Sequence, residues 1–133
     1  MVRSSDPVVE SYSAGGGLRW RTELDGVVPL PFEMAETGAL RVEWSDTPEA
    51  YLLRGVLRWS DEVLLLQFEV RSDGADFHEE GAPVESIWLG AHDGVEIGRS
   101  RHVPLFLALE RDFGVIARPG VVPGVLLVRR GMP

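Results

Sequence analysis

Cysteine, lysine and asparagine are absent from this chain, and all thirteen of its basic Lys/Arg-type side chains are arginines. Without cysteine there can be no disulfide, no thiolate metal centre and no thiol nucleophile. Without lysine there can be no Schiff base and no P-loop lysine gripping a phosphate. The gap follows codon composition, since Lys and Asn use AT-rich codons whereas Ala, Gly, Arg and Val use GC-rich ones. Long apolar runs are missing as well. Val63–Leu66, matched in length by Val125–Val128, is as long as any purely aliphatic block, far short of the roughly 18 residues of a membrane helix. Met1–Ser13 carries Asp6 and Glu10 and holds no apolar run of signal-peptide length. The expectation is therefore a cytoplasmic protein with no membrane insertion.

What is present is acid. Asp and Glu number 21 against 13 basic residues, for a net charge of -8. That balance repels phosphate backbones and anionic lipid surfaces, so neither nucleic acid nor phosphoinositide is expected as a partner. At 133 residues the chain has the length of one domain, enough to bury a core without staples.

Its patterning has period two. Leu18, Trp20, Thr22 and Leu24 alternate with Arg19, Arg21 and Glu23, as in a half-buried strand. Upstream, Met1–Gly17 ends in Gly15-Gly16-Gly17 and is expected to be a flexible segment dispensable for folding, leaving 18–133 as a single β domain. Asp25-Gly26 predicts a type I′ hairpin turn, with Val27–Met34 returning as an edge strand because of Pro29 and Pro31. Leu40, Val42 and Trp44 form a further alternation. Tyr51–Trp59 and Val63–Arg71 predict the central hairpin. In its first arm Tyr51, Leu53, Leu57 and Trp59 share a face. In its second, Leu64, Leu66, Phe68 and Val70 oppose Gln67, Glu69 and Arg71. Ser72–Pro83 reads as a polar loop, and Val84–Leu89, Val95–Arg99 and Val103–Glu110 as shorter strands. Arg111–Gly124 reads as loop with at most one helical turn, and Val125–Arg130 as the closing strand. The fold class expected is all-β, a small antiparallel barrel or two-sheet roll with little or no helix.

The segment Gly55–Arg130 resembles small bacterial domains of the pleckstrin-homology-like (PH-like) type. The resemblance lies in Gly55-Val56-Leu57-Arg58-Trp59 leading into a long apolar strand, then Glu85-Ser86-Ile87-Trp88-Leu89, Val95-Glu96-Ile97 and Leu105-Phe106-Leu107. Arg111-Asp112-Phe113, Pro119-Gly120 and a last strand complete it. It implies a two-sheet roll used for protein contact, with no site residue to carry over. The C-terminal amphipathic helix and the basic clusters of such domains have no counterpart here, which counts against the lipid-binding variant of this reading.

For chemistry, His78, His92 and His102 are the metal candidates, flanked by Asp76, Glu79, Glu80 and Asp93. All three fall in expected loops, where they could form a rim serving a small-molecule or metal-dependent enzyme. Neither HxH nor HExxH spacing is present, and solvated loop histidines are the ordinary reading. No serine sits in a nucleophile elbow, so no catalytic residue and no cofactor is assigned. The leading expectation is a non-enzymatic protein-binding or scaffolding module, with a protein partner or self-association. Its interface candidates are Trp20 with Arg19 and Arg21, since tryptophan and arginine are enriched at binding hot spots, and Val125 and Leu127 on an unguarded last strand.

Overall fold

Residues 7–28, 32–34, 40–42, 49–72, 83–118 and 124–130 are described by the structure, a computed structural model. The fold is all-β and antiparallel, with no helix among the described residues. Among the described residues eleven strands run in order: β1 (Val8–Tyr12), β2 (Leu18–Glu23), β3 (Phe32–Met34), β4 (Leu40–Val42), β5 (Glu49–Arg58) and β6 (Val63–Ser72). They continue as β7 (Val84–Gly90), β8 (Glu96–Ser100), β9 (Ala108–Leu109), β10 (Phe113–Arg118) and β11 (Gly124–Arg129). They form a four-stranded meander β5-β6-β7-β8, a three-stranded sheet β11-β10-β9 and the pairs β1-β2 and β3-β4, with no closed barrel among them. The Pro29–Pro31 arm, Trp44 and the 73–82 loop with Asp76, His78, Glu79 and Glu80 lie outside the described residues.

The central hairpin forms as its alternation predicts, from Glu49↔Ser72 to Arg58↔Leu64. One feature shifts its faces. The register slips between Leu53 and Gly55, a bulge that reverses side-chain parity along β5. Tyr51 and Leu53 therefore pair with Val70 and Phe68, whereas Leu57 pairs with Leu65 on the opposite face. The four residues expected together are split two and two, with Trp59 on the side of Leu65.

Both faces of the central sheet are covered. On one, Leu66, Phe68, Ile87 and Leu89 pack with Trp20, Leu24 and Val27. On the other, Leu65 and Trp88 pack with Trp59 and Phe106, against Leu109 and Ile116. Gln67 and Ser86, on this second face, are fully buried, so the polar half of the β6 alternation is interior rather than solvated.

The N-terminal segment departs from expectation. Val8–Tyr12 is a strand paired with β2, Val8 opposite Glu23, and Val9 packs against the first core cluster. The glycine run is the tip of this hairpin, where Gly17 N–H donates to Ser13 Oγ at 3.1 Å, and not a flexible joint. Asp25-Gly26 is a turn, but of another type. Only Gly26 has positive φ, at 74°, and Val27 N–H donates to Leu24 O at 3.4 Å, the pattern of a type II turn. Past it the chain leaves β2, and Val28 O accepts from Tyr51 N–H at 2.7 Å.

The last third also differs. Val103–Glu110 was expected as one strand, yet only Ala108–Leu109 is one, because Pro104 has no donor for a ladder. The expected loop 111–124 contains β10, whose Val115 and Ile116 pair with Leu127 and Leu126.

The β1–β2 hairpin is attached through the β7–β8 turn. Trp20 Nε1 donates to Ala91 O at 3.0 Å, and Thr22 Oγ1 to Gly94 O at 2.6 Å. Gly94 has φ of 71°, and a Cβ there would overlap the Trp20 ring and lie 2.5 Å from Thr22 Oγ1. Gly26 has a similar φ but open space around it. Gly26→Ala should lose only the left-handed backbone cost, about 1–2 kcal/mol. Gly94→Ala should lose clearly more, because it also pushes the hairpin off the sheet. Denaturant melts of the two variants measure the difference, and equal losses would place Trp20 away from that turn.

Candidate functional site

Of the interface candidates, the structure separates Trp20 from its neighbours. Trp20 is 8% exposed and sits in the first core cluster, so its ring is not available to a partner. Strand alternation turns Arg19 and Arg21 outward, and Arg21 pairs with Glu10 at 3.1 Å.

Val125 and Leu127 are 63% and 69% exposed. Register explains why. Gly114 pairs with Val128 and Ile116 with Leu126; Gly114 and Ile116 face the core, where a Cβ on Gly114 would overlap the Phe106 ring, whereas Leu126 is itself 42% exposed. Phe113, Val115 and Ala117 of β10, with Leu127 and Val125 of β11, consequently share the outer face. Phe113 is 43% exposed. The result is an apolar sheet face ending at β11, which among the described residues has a neighbour on one edge only.

A second feature is a cleft of about 510 Å³ between β8, residues 102–106 and the end of β11. Trp59, Trp88 and Phe106 form its apolar wall. The two indoles meet edge to face with centroids 5.7 Å apart. Phe106 is fixed from beneath by Gln67. Gln67 Nε2 donates to Ser86 Oγ at 3.0 Å and to Pro104 O at 2.9 Å, while its Oε1 accepts from Phe106 N–H at 2.8 Å. Arg130 closes the far side, with its guanidinium 4.3 Å above the Trp59 ring. Nη1 of Arg130 donates to Glu110 O at 2.6 Å and Arg111 O at 3.2 Å, and Nη2 donates to Trp59 O.

A polar cluster lies at the opposite face. Arg101 Nη2 reaches Tyr51 Oη at 3.1 Å, Glu49 Oε2 at 3.4 Å and Glu85 Oε2 at 3.5 Å. Burial pushes the Tyr51 phenol above its ordinary range, and the Glu85 carboxylate adds to this. Burial works against the Arg101 charge, but Tyr51, Glu85 and Glu49 outweigh it and raise its pKa. Arg99 is raised chiefly by its hydrogen bond to Glu96, at 2.7 Å. The charges here satisfy one another, and the cluster is structural.

Among the described residues His92 and His102 do not come together as a rim. His78 lies outside the described residues. His92 occupies the turn before β8 and His102 the loop after it, at opposite ends of a five-residue strand. About 3.3 Å per residue keeps them well over 10 Å apart, whereas two ligands of one ion lie within about 4 Å. Among the described residues no three His, Asp or Glu side chains converge on a metal position.

Comparison with known proteins finds no matching family model, no matching curated protein and no matching solved structure.

The double variant His92→Ala/His102→Ala should melt within about 0.5 kcal/mol of the parent, the range of surface changes. A chelator should shift neither melt. A chelator-sensitive melt abolished by the substitutions would restore a metal role.

Proposed function

We propose that this domain is a non-enzymatic protein-binding module of the scaffolding kind, docking through the outer face and free edge of the β9–β11 sheet. The observation that carries the reading is the exposure of Val125 and Leu127 on an edge strand whose sheet presents Phe113, Val115 and Ala117 on the same face. Strand addition at such an edge supplies main-chain hydrogen bonds, while the alternate side chains supply specificity. The occupant best suited is a second copy of this chain. Antiparallel pairing of two β11 strands centred on Leu126 sets Val125 opposite Leu127 and Arg129 opposite residue 123. No like charges face each other across that pairing, and the basic end of β11 offsets part of the acidic chain's self-repulsion.

The PH-like reading belongs with this proposal. A four-stranded meander followed by a three-stranded one, packed across Phe106, supports a two-sheet roll of that type.

Sedimentation velocity over a concentration series tests the proposal. The wild type should associate to a dimer, and Val125→Lys/Leu127→Lys should remain monomeric with an unchanged circular dichroism spectrum. A wild type monomeric into the high micromolar range, or a double variant that still dimerises, would overturn it.

A further inference from the structure

The cleft beside Trp59 and Trp88 has a chemistry that the β11 surface does not use. Two of its wall residues hold buried donors with no acceptor among the described residues, Trp88 Nε1 and Arg130 Nε. An unpaired buried donor costs on the order of 1–3 kcal/mol, a cost that ordinary folding selects against. Arg130 spends its other nitrogens on three backbone carbonyls and has no carboxylate partner among the described residues. Although the chain carries 21 acidic residues, none is among the described residues lining the cleft, where His102 and Arg129 also lie. Arg99 lines it too but is paired to Glu96.

Each of these features asks for the same complement. Two orphan donors need acceptor oxygens, and one guanidinium without an ion-pair partner among the described residues matches a monoanion better than a dianion in a chain of net charge -8. The indole and phenyl walls favour a flat apolar body, and about 510 Å³ is within the usual range for small-molecule sites, roughly 300–1,000 Å³.

We propose that the cleft formed by Trp59, Trp88, Phe106, His102 and Arg130 binds a small planar organic carboxylate, its ring against the aromatic wall and its carboxylate toward Arg130. Binding there is separate from β11 pairing, since Val125 and Leu127 face the other side of their sheet.

Gly98 provides a test that spares the fold. It pairs with Trp88, lines the cleft, and a Cβ built on it meets nothing within 4 Å. Gly98→Phe therefore has room at its first side-chain atom and carries its ring into the cleft. The probe is 2-naphthoate, titrated calorimetrically into the full chain, with uncharged 2-naphthylmethanol as its partner compound. Naphthoate should bind the wild type, the alcohol should bind at least about tenfold more weakly, and Gly98→Phe should bind neither while melting as the wild type does. Arg130→Gln should reduce naphthoate binding toward that of the alcohol. In the NMR spectrum the Trp88 indole N–H, assigned through Trp88→Phe, should move downfield as it gains an acceptor. No binding of naphthoate, equal binding of acid and alcohol, or undiminished binding by Gly98→Phe would each overturn the proposal.

Discussion

The side-chain amide of Gln67 lies at the centre of the second core, fully buried, with both N–H groups donated and its oxygen accepting. Its three partners belong to two parts of the chain: Ser86 on the neighbouring strand, and Pro104 and Phe106 on a segment with little regular structure. Because Pro104 cannot donate and Phe106 N–H has no ladder partner, that segment needs a side chain to take its backbone groups into the interior. Gln67 does this, and the consequences run outward. Phe106 is held over Leu65 and Trp88, Gly114 of β10 fits against the Phe106 ring, and β9–β11 is laid across the central sheet. Both the exposed outer face of that sheet and the aromatic cleft exist because this segment is pinned where it is. A buried network of this kind specifies a position more sharply than apolar packing does, since any shift leaves several polar groups unpaired.

The two candidate surfaces divide the second sheet between them. Its outer side is apolar and open, suited to a protein surface. Its inner side, where Val128 and Arg130 meet Trp59, is narrower and carries a guanidinium with no ion-pair partner among the described residues, suited to a small anion. A strand's alternation assigns the two roles, with Val125 and Leu127 on one parity and Val128 and Arg130 on or beside the other. The first sheet packs core residues on both faces, and through Trp88 and Gly98 it also supplies one wall of the cleft.

Much of this was legible in the residues. The β5–β6 hairpin, the strand at Val84 and the closing strand were marked by period-two alternation, and Val125 and Leu127 were marked as exposed by their place on a last strand. Gln67 was misread for a physical reason. Alternation reports that two faces differ, but not what covers the polar one, and here the cover comes from Pro104 and Phe106, 37 and 39 positions away. The bulge at Arg54 is likewise silent in the pattern, since one extra residue between two apolar stretches looks like continued alternation. At the N-terminus, three glycines read as a joint because a hairpin tip and a linker share the same composition. The histidines were grouped because all three fell in loops, and loop membership does not say which end of a strand a loop occupies. Of the cleft, the signal available in advance was Trp59, Trp88 and Arg130 as bulky residues near strand ends, which sequence spacing could not bring together.

Native-state hydrogen exchange at the Phe106 amide in wild type and Gln67→Leu tests the central claim most directly. Leucine keeps the volume and removes the acceptor. If Gln67 pins the 104–106 segment, protection at Phe106 should fall by about 1–3 kcal/mol, the cost of leaving such a group unpaired, and β9–β11 should loosen with it. The amides of β6 and β7 should stay protected relative to the segment. Unchanged protection at Phe106 in Gln67→Leu would contradict the account, showing that apolar packing of the ring alone holds the second sheet in place.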